Sequence, residues 1–189
     1  MDGKKKQKNK TGVQILISDK IDFQRRAINR DPEGHFIILK GRIHQEHINI
    51  VNICAPNIGA HKYIKKILED FKKDIDSNTI IAGDFNNLSK MDRSSKQNIN
   101  KDIVALNNTL DEINLTDIYR AFHPKEAKYT FFSNAHGTFS KIDHMIGHKA
   151  SLHKFKKLEI ISSIFSDHKG LKLATNPKEK TPNTQNHGD

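Results

Sequence analysis

Residues 78–86 read Asn78-Thr79-Ile80-Ile81-Ala82-Gly83-Asp84-Phe85-Asn86: a short apolar run held between a turn former and a glycine, with a carboxylate and an amide just beyond it. The run from Thr79 to Ala82 predicts a strand. Asp84 and Asn86 then stand at its C-terminal end, where chains commonly display functional groups. In strand-end geometry residues two apart point to one face, so a carboxylate and an amide there can address one phosphate or one attacking water. The competing account is an Asx-turn that merely caps the strand.

Working outward, β-branched or alternating apolar character predicts strands at 13–17, 36–40 and 47–54, punctuated by Gly34 and Gly41 and ended by Ala55-Pro56-Asn57. Tyr63, Ile64, Ile67, Leu68, Phe71 and Ile75 recur every three or four residues, which lays one apolar stripe along a helix packed on a sheet. A second helix is expected over 101–113 with Val104, Leu106, Leu110 and Ile113 inward, then one short turn at 116–120. Segments 129–132 and 138–142 flank a turn-rich pentad and predict a hairpin, and strands at 158–162 and 170–174 follow. The pattern is that of an α/β or α+β protein. Residues 3–10 carry five lysines and no apolar side chain, so 1–10 is expected to be a solvated basic arm or loop, with a nuclear import signal as an alternative. The domain is expected over 11–174. A polar tail without apolar residues should fill 175–189.

Lys plus Arg number 32 against 22 Asp plus Glu, a formal net charge of +10 that favours a polyanionic partner: nucleic acid first, an anionic membrane surface second. Plain solubility is the competing explanation of that charge. Cys54 is the single cysteine, which excludes an internal disulfide and a cysteine zinc site and suits a reducing compartment. No stretch reaches the roughly 18–20 apolar residues of a membrane span, so a nuclear or cytoplasmic protein with no membrane partner is expected.

Two further clusters carry acids and imidazoles. In Ser140-Lys141-Ile142-Asp143-His144, Ile142 faces the core if Asp143 faces an opening; in Ser166-Asp167-His168, neighbouring side chains need a bend to serve one site. The 11 histidines form no HExxH pair, so oxygen-bound magnesium suits the spread-out acids better than zinc.

Taken in order, GDFN at 83–86, YTFFS at 129–133, SKIDH at 140–144 and SDH at 166–168, with NICAPN at 52–57 and Asp92-Arg93-Ser94, resemble the endonuclease domain of the second open-reading-frame protein of LINE-type retrotransposons. That family is similar to the AP endonucleases and DNase I. The resemblance implies their fold, a four-layered α/β sandwich of the endonuclease/exonuclease/phosphatase type. It also implies cleavage of one strand of double-stranded DNA, often at A/T-rich sites, with Mg²⁺ or Mn²⁺ as cofactor. Asp84 would orient or deprotonate the attacking water, Asn86 would hold the scissile phosphate, and His168 would stabilise developing charge or assist proton transfer. Asp143 would fix the His168 tautomer, and Asp167 would help bind the metal. The segment 130–140 would probe the DNA groove, with Arg93, Thr130, Ser140, Lys141 and Ile142 as DNA-binding residues and His136 adding switchable charge.

The sequence also departs from that family. The family opens with an Asn and a metal-binding Glu upstream of the matched region, so the sandwich is expected to be incomplete at the N-terminus, with an exposed sheet edge. Cys54 stands where the family usually has a Tyr whose hydroxyl reaches phosphate, and a thiol is a weaker donor. The loop after Asn86 is one residue short. These departures predict reduced or absent cleavage, with a non-catalytic nucleic-acid-binding remnant as the alternative function. A phosphatase or sphingomyelinase relative is a third reading.

Overall fold

A computed structural model describes residues 12–44, 46–95, 100–164 and 166–176; the arm expected at 1–10 and the tail beyond 176 lie outside the described residues. Three antiparallel strands come first: β1 (Phe23–Arg30), β2 (Phe36–Ile43) and β3 (Glu46–Cys54). Alternation along β3 sends Val51 and Ile53 to one face and Ile50, Asn52 and Cys54 to the other. Helix α1 (Ala60–Asp70) then carries the chain back, so that β4 (Thr79–Asp84) lies parallel to β3, as a parallel pair requires. Ile64, Ile67 and Leu68 are the buried stripe of α1, as the spacing predicts. Helix α2 (Lys101–Glu112) packs beside α1 and is capped by Asn100, whose side chain accepts the Asp102 N–H at 2.7 Å.

The remaining elements are β5 (Leu115–Asp117), α3 (Ile118–Phe122), the hairpin β6 (Phe131–Ser133) and β7 (Thr138–Ser140), then β8 (Asp143–His148), β9 (Phe155–Ile161) and β10 (Gly170–Thr175). Strand β8 enters between β4 and β5, antiparallel to both, and completes a six-stranded sheet of order β1-β2-β3-β4-β8-β5. One face of that sheet presents Ile38, Val51, Ile53, Ile81 and Ile146 to α1 and α2. Behind it, Ile80 and Met145 pack against Ile118 and Tyr119 of α3 and Phe155 and Leu158 of β9, with Leu171 and Leu173 of β10. A helix layer, the sheet and the β9–β10 pair are thus stacked, the mixed α/β architecture expected.

Several local expectations give way. The residues 13–17 are extended but form no strand: Val13 N–H reaches the Gly34 carbonyl at 3.2 Å, and the Gln14 carbonyl accepts from Asn52 Nδ2 at 2.9 Å. The edge position belongs to β1, whose polar sequence Gln24-Arg25-Arg26 conceals a strand exposed along nearly its whole length. Val104 points to solvent, because it lies two residues from buried Leu106 and such neighbours do not share a helix face. The expected turn at 116–120 is β5 followed by α3. Strand β8 itself escapes prediction, since Asp143, His144 and His148 dilute its apolar signal. Thr175, expected in the tail, closes β10.

Candidate active site

The end of β4 is shaped by Gly83. Its φ is +135°, and a Cβ there would lie 1.8 Å from the carbonyl oxygen of Ile53 on β3, so only glycine allows the two strands to stay paired up to Asp84. Pairing in register then sets Cys54, Asp84 and Asp143 side by side across β3, β4 and β8. Register partners share a face, and Cβ atoms of directly opposite antiparallel residues lie about 4.5–5.5 Å apart. The row sits at the rim of the sheet, on the face opposite α1 and α2.

Asp143 is joined to His168: the imidazole Nδ1 lies 3.0 Å from Oδ2 and 3.3 Å from Oδ1 of the carboxylate. A carboxylate accepts, so Nδ1 carries the proton and Nε2 is directed away from Asp143. The bend that brings His168 there is secured locally. Its backbone N–H donates to Ser166 Oγ at 3.1 Å, Lys169 N–H donates to the Thr130 carbonyl at 2.7 Å, and the Phe131 ring lies 4.9 Å from the imidazole. The bend at 166–168 therefore brings His168 to the site. Asp167 is exposed, with Ser166 Oγ 3.5 Å from its Oδ1.

Burial raises the Asp84 carboxyl above its ordinary pKa; the Asn86 N–H opposes this, and the neighbouring Asp143 charge adds to the rise. Burial likewise pushes the Cys54 thiol up, reinforced by Asp84 and Asp143. Two carboxylates stand at one rim with one imidazole adjoining, an arrangement whose negative charge a divalent cation would offset. This donor set fits Mg²⁺, which takes one or two carboxylates and completes its shell with water and phosphate oxygens. Among the described residues no group of three or more His, Cys, Asp or Glu is gathered as a closed metal cage.

Asn86 leaves the strand rather than continuing it. Its φ of 57° places it in the left-handed region that Asn tolerates, its N–H donates to Asp84 Oδ1 at 2.9 Å, and its carbonyl accepts from His144 Nε2 at 2.9 Å. The relation of Asp84 to Asn86 is thus an Asx-turn, not strand alternation, with the Asn86 backbone N–H set against the Asp84 carboxylate.

The expected DNA-contacting residues divide. Lys141 is fully buried, with Nζ 2.6 Å from Asp117 Oδ2 and 2.7 Å from His144 Nδ1, so its charge is spent inside the protein and not on a phosphate. Thr130 is also fully buried; its hydroxyl accepts the N–H groups of Ile142 at 3.1 Å and Asp143 at 3.2 Å, which fixes the start of β8. Burial leaves neither side chain a surface for the DNA contact expected of it. Ser140 is buried in the pairing of β7, and Ile142 is half-buried. Arg93 is half-buried, bridges to Ser140 and donates Nε–H to Asn87 Oδ1. The surface that the hairpin does expose is aromatic: Phe139 stacks on Tyr129 at 5.9 Å and lies 4.6 Å from Phe132.

Sequence reasoning missed the roles of Asp92, Asp117 and His144. Asp92, 1% exposed, accepts from Leu88 N–H, Ser89 N–H and Arg120, and so folds the loop after Asn86. Asp117 is capped into α3 and pairs with Lys141 and His144. Asp92 lies in the motif DRS and His144 in SKIDH, whereas Asp117 lies in neither.

No family model matches the chain. Among solved structures it is similar to the endonuclease domain of TRAS1, a telomere-specific non-LTR retrotransposon, at 15% identity over 87% of this chain and 73% of that one, with a TM-score of 0.64. An AP endonuclease from Archaeoglobus fulgidus matches at 16% identity over 82% of this chain and 72% of its own, TM-score 0.64. A 3′-5′ exonuclease from Neisseria meningitidis matches at 19% identity over 83% and 71%, TM-score 0.61. With the mixed sheet, the helix layer and the order of strands described above, these likenesses show that the chain has the DNase I-like fold of the endonuclease/exonuclease/phosphatase proteins.

Proposed function

We propose that the chain binds double-stranded DNA and hydrolyses its phosphodiester bonds as an endonuclease of the retrotransposon type, using Mg²⁺ or Mn²⁺. The observation that carries this reading is the convergence of Asp84, Asp143 and His168, drawn from three separate segments, at one sheet rim beside the Asn86 turn. Asp84, held at the strand end with a raised pKa, orients a water and draws its proton. Asp143 holds His168 through Nδ1–H, and with the ring protonated its Nε2–H donates to a phosphate oxygen and passes its proton to the departing oxygen, while Asp84 takes the proton of the attacking water. Asn86 supplies an amide to a non-bridging oxygen. Asp84, with Asp167 of the 166–168 bend, would hold a divalent cation, which would supply Lewis-acid stabilisation of the charge on the phosphate.

The net charge of +10 supports a DNA partner, and the exposed Phe132 and Phe139, with half-buried Tyr129 beside them, suit contact with bases that have left the stack, for which A/T-rich steps are the easier source. Nicking of supercoiled plasmid with Mg²⁺, its loss on chelation and its loss in Asp84→Ala are the expected results. A folded chain that binds duplex DNA without nicking would instead select a second reading, a binding module without turnover. One observation favours that second reading: Cys54, a weak donor with a raised pKa, occupies the row position beside Asp84.

A further inference from the structure

A lysine, an aspartate and a histidine meet beneath the rim, inside the protein. Lys141 and His144 are fully buried, and the Asp117 side chain is 13% exposed. Lys141 Nζ lies 2.6 Å from Asp117 Oδ2, 2.7 Å from His144 Nδ1 and 5.4 Å from the centre of the Tyr119 ring. His144 Nδ1 is 2.8 Å from the same Asp117 oxygen. Asp117 cannot drift, because its other oxygen accepts the N–H groups of Tyr119 and Arg120 at the start of α3. Apolar side chains of similar volume commonly serve stability as well as a buried ionic cluster does. What an apolar side chain cannot do is grip a carbonyl.

The cluster has one such grip. The Asn86 carbonyl can only accept, so the 2.9 Å contact requires a proton on His144 Nε2. Asn86 is thereby tied at both ends: its N–H to Asp84 Oδ1 on the rim face, its carbonyl to His144 on the helix face. With φ at 57°, that turn lies in a sparsely populated region, which persists only where the surroundings over-determine it.

We infer that His144, oriented by Asp117 and Lys141, is a positioning residue that holds the Asn86 turn and so places the Asn86 amide for the phosphate. The placement on phosphate rests on the functional reading above; the hold on the turn does not.

The test uses the full chain with ¹⁵N-labelled asparagine, Asn86 signals being assigned by their loss in Asn86→Ser. His144→Leu removes the donor at similar size, and His144→Gln retains a side-chain N–H. The expected result is that His144→Leu shifts or broadens both Asn86 signals while those of Asn49 and Asn107 stay in place, and that Gln restores them. Where nicking is measured, Leu lowers kcat about tenfold with KM for duplex within about twofold, and Gln recovers most of it. A folded His144→Leu chain with unmoved Asn86 signals overturns the inference. If Leu does not fold, the parent decides: long-range ¹H–¹⁵N spectra must show the His144 proton on Nε2, and its absence overturns the inference equally. Asn86→Ser with unchanged nicking and DNA affinity would instead sink the phosphate reading and leave the hold on the turn standing.

Discussion

Thr130→Val replaces a hydroxyl by a methyl of nearly the same size at a site with no exposed surface. The hydroxyl accepts two backbone N–H groups, those of Ile142 at 3.1 Å and Asp143 at 3.2 Å. Losing a hydrogen bond costs about 0.5–1.5 kcal/mol, and leaving a buried donor unpaired costs about 1–3 kcal/mol, so the pair amounts to about 2–4 kcal/mol where water reaches in part. With a urea slope of about 1–3 kcal/mol/M, the unfolding midpoint should fall by about 1–2 M. Thr130→Ser, which keeps the hydroxyl and sheds one methyl, should cost only about 1 kcal/mol. Urea titrations followed by circular dichroism measure both, alongside fluorescence-anisotropy titration of a labelled duplex at several salt concentrations. The salt slope should be the same in parent and Thr130→Val, since no phosphate contact is removed. A midpoint within about 0.3 M of the parent, with duplex affinity lost, would refute the reasoning and return Thr130 to the DNA surface.

Asp84→Asn should raise the melting temperature at neutral pH while abolishing any nicking. A carboxyl whose folded pKa is raised destabilises the folded state once ionised, so the gain should vanish below the ordinary carboxylate range, and a drop in melting temperature at pH 7 would contradict the assignment. Asp117 has the opposite sign. Burial alone would raise it, but the hydrogen bond and charge of His144, with Lys141, hold its carboxyl well below the usual range. Its contribution is therefore fully present above the unfolded carboxylate pKa and is lost as pH falls through the depressed folded value. The stability deficit of Asp117→Asn, measured by urea at successive pH values, should be constant down to about pH 5 and narrow in stronger acid. A deficit that is independent of pH would show that the cluster is not ionic.

The elements that the sequence disclosed are those in which one physical rule dominates. Ile64, Ile67 and Leu68 obey helical spacing because α1 meets a single layer, and the run before Gly83 is a strand because both of its faces are covered. β1 was hidden because an edge strand has no buried side to impose alternation, and β8 because Asp143, His144 and His148 interrupt its apolar residues. The site was legible as a set of residue types in order; its geometry was not. Asp84, Asp143 and His168 meet only through strand register and a loop bend, which no local pattern encodes. Lys141 and Thr130 were misread for a related reason: residue type suggests exposure, whereas burial of a charge or hydroxyl depends on partners as distant in sequence as Asp117 and Asp143.

The outermost strand has a consequence of its own. β1 carries Arg25, Arg26 and Arg30, and its pairing with β2 slips at a bulge between Arg25 and Ala27. Among the described residues β1 pairs with β2 alone, and an edge strand's outer row of peptide groups is a template on which other chains can stack into fibrils. Like charges and a kink on that row make each copy repel the next, so the border of this sheet works as a gatekeeper against amyloid-style growth. Replacing those arginines with valine or threonine would remove that protection.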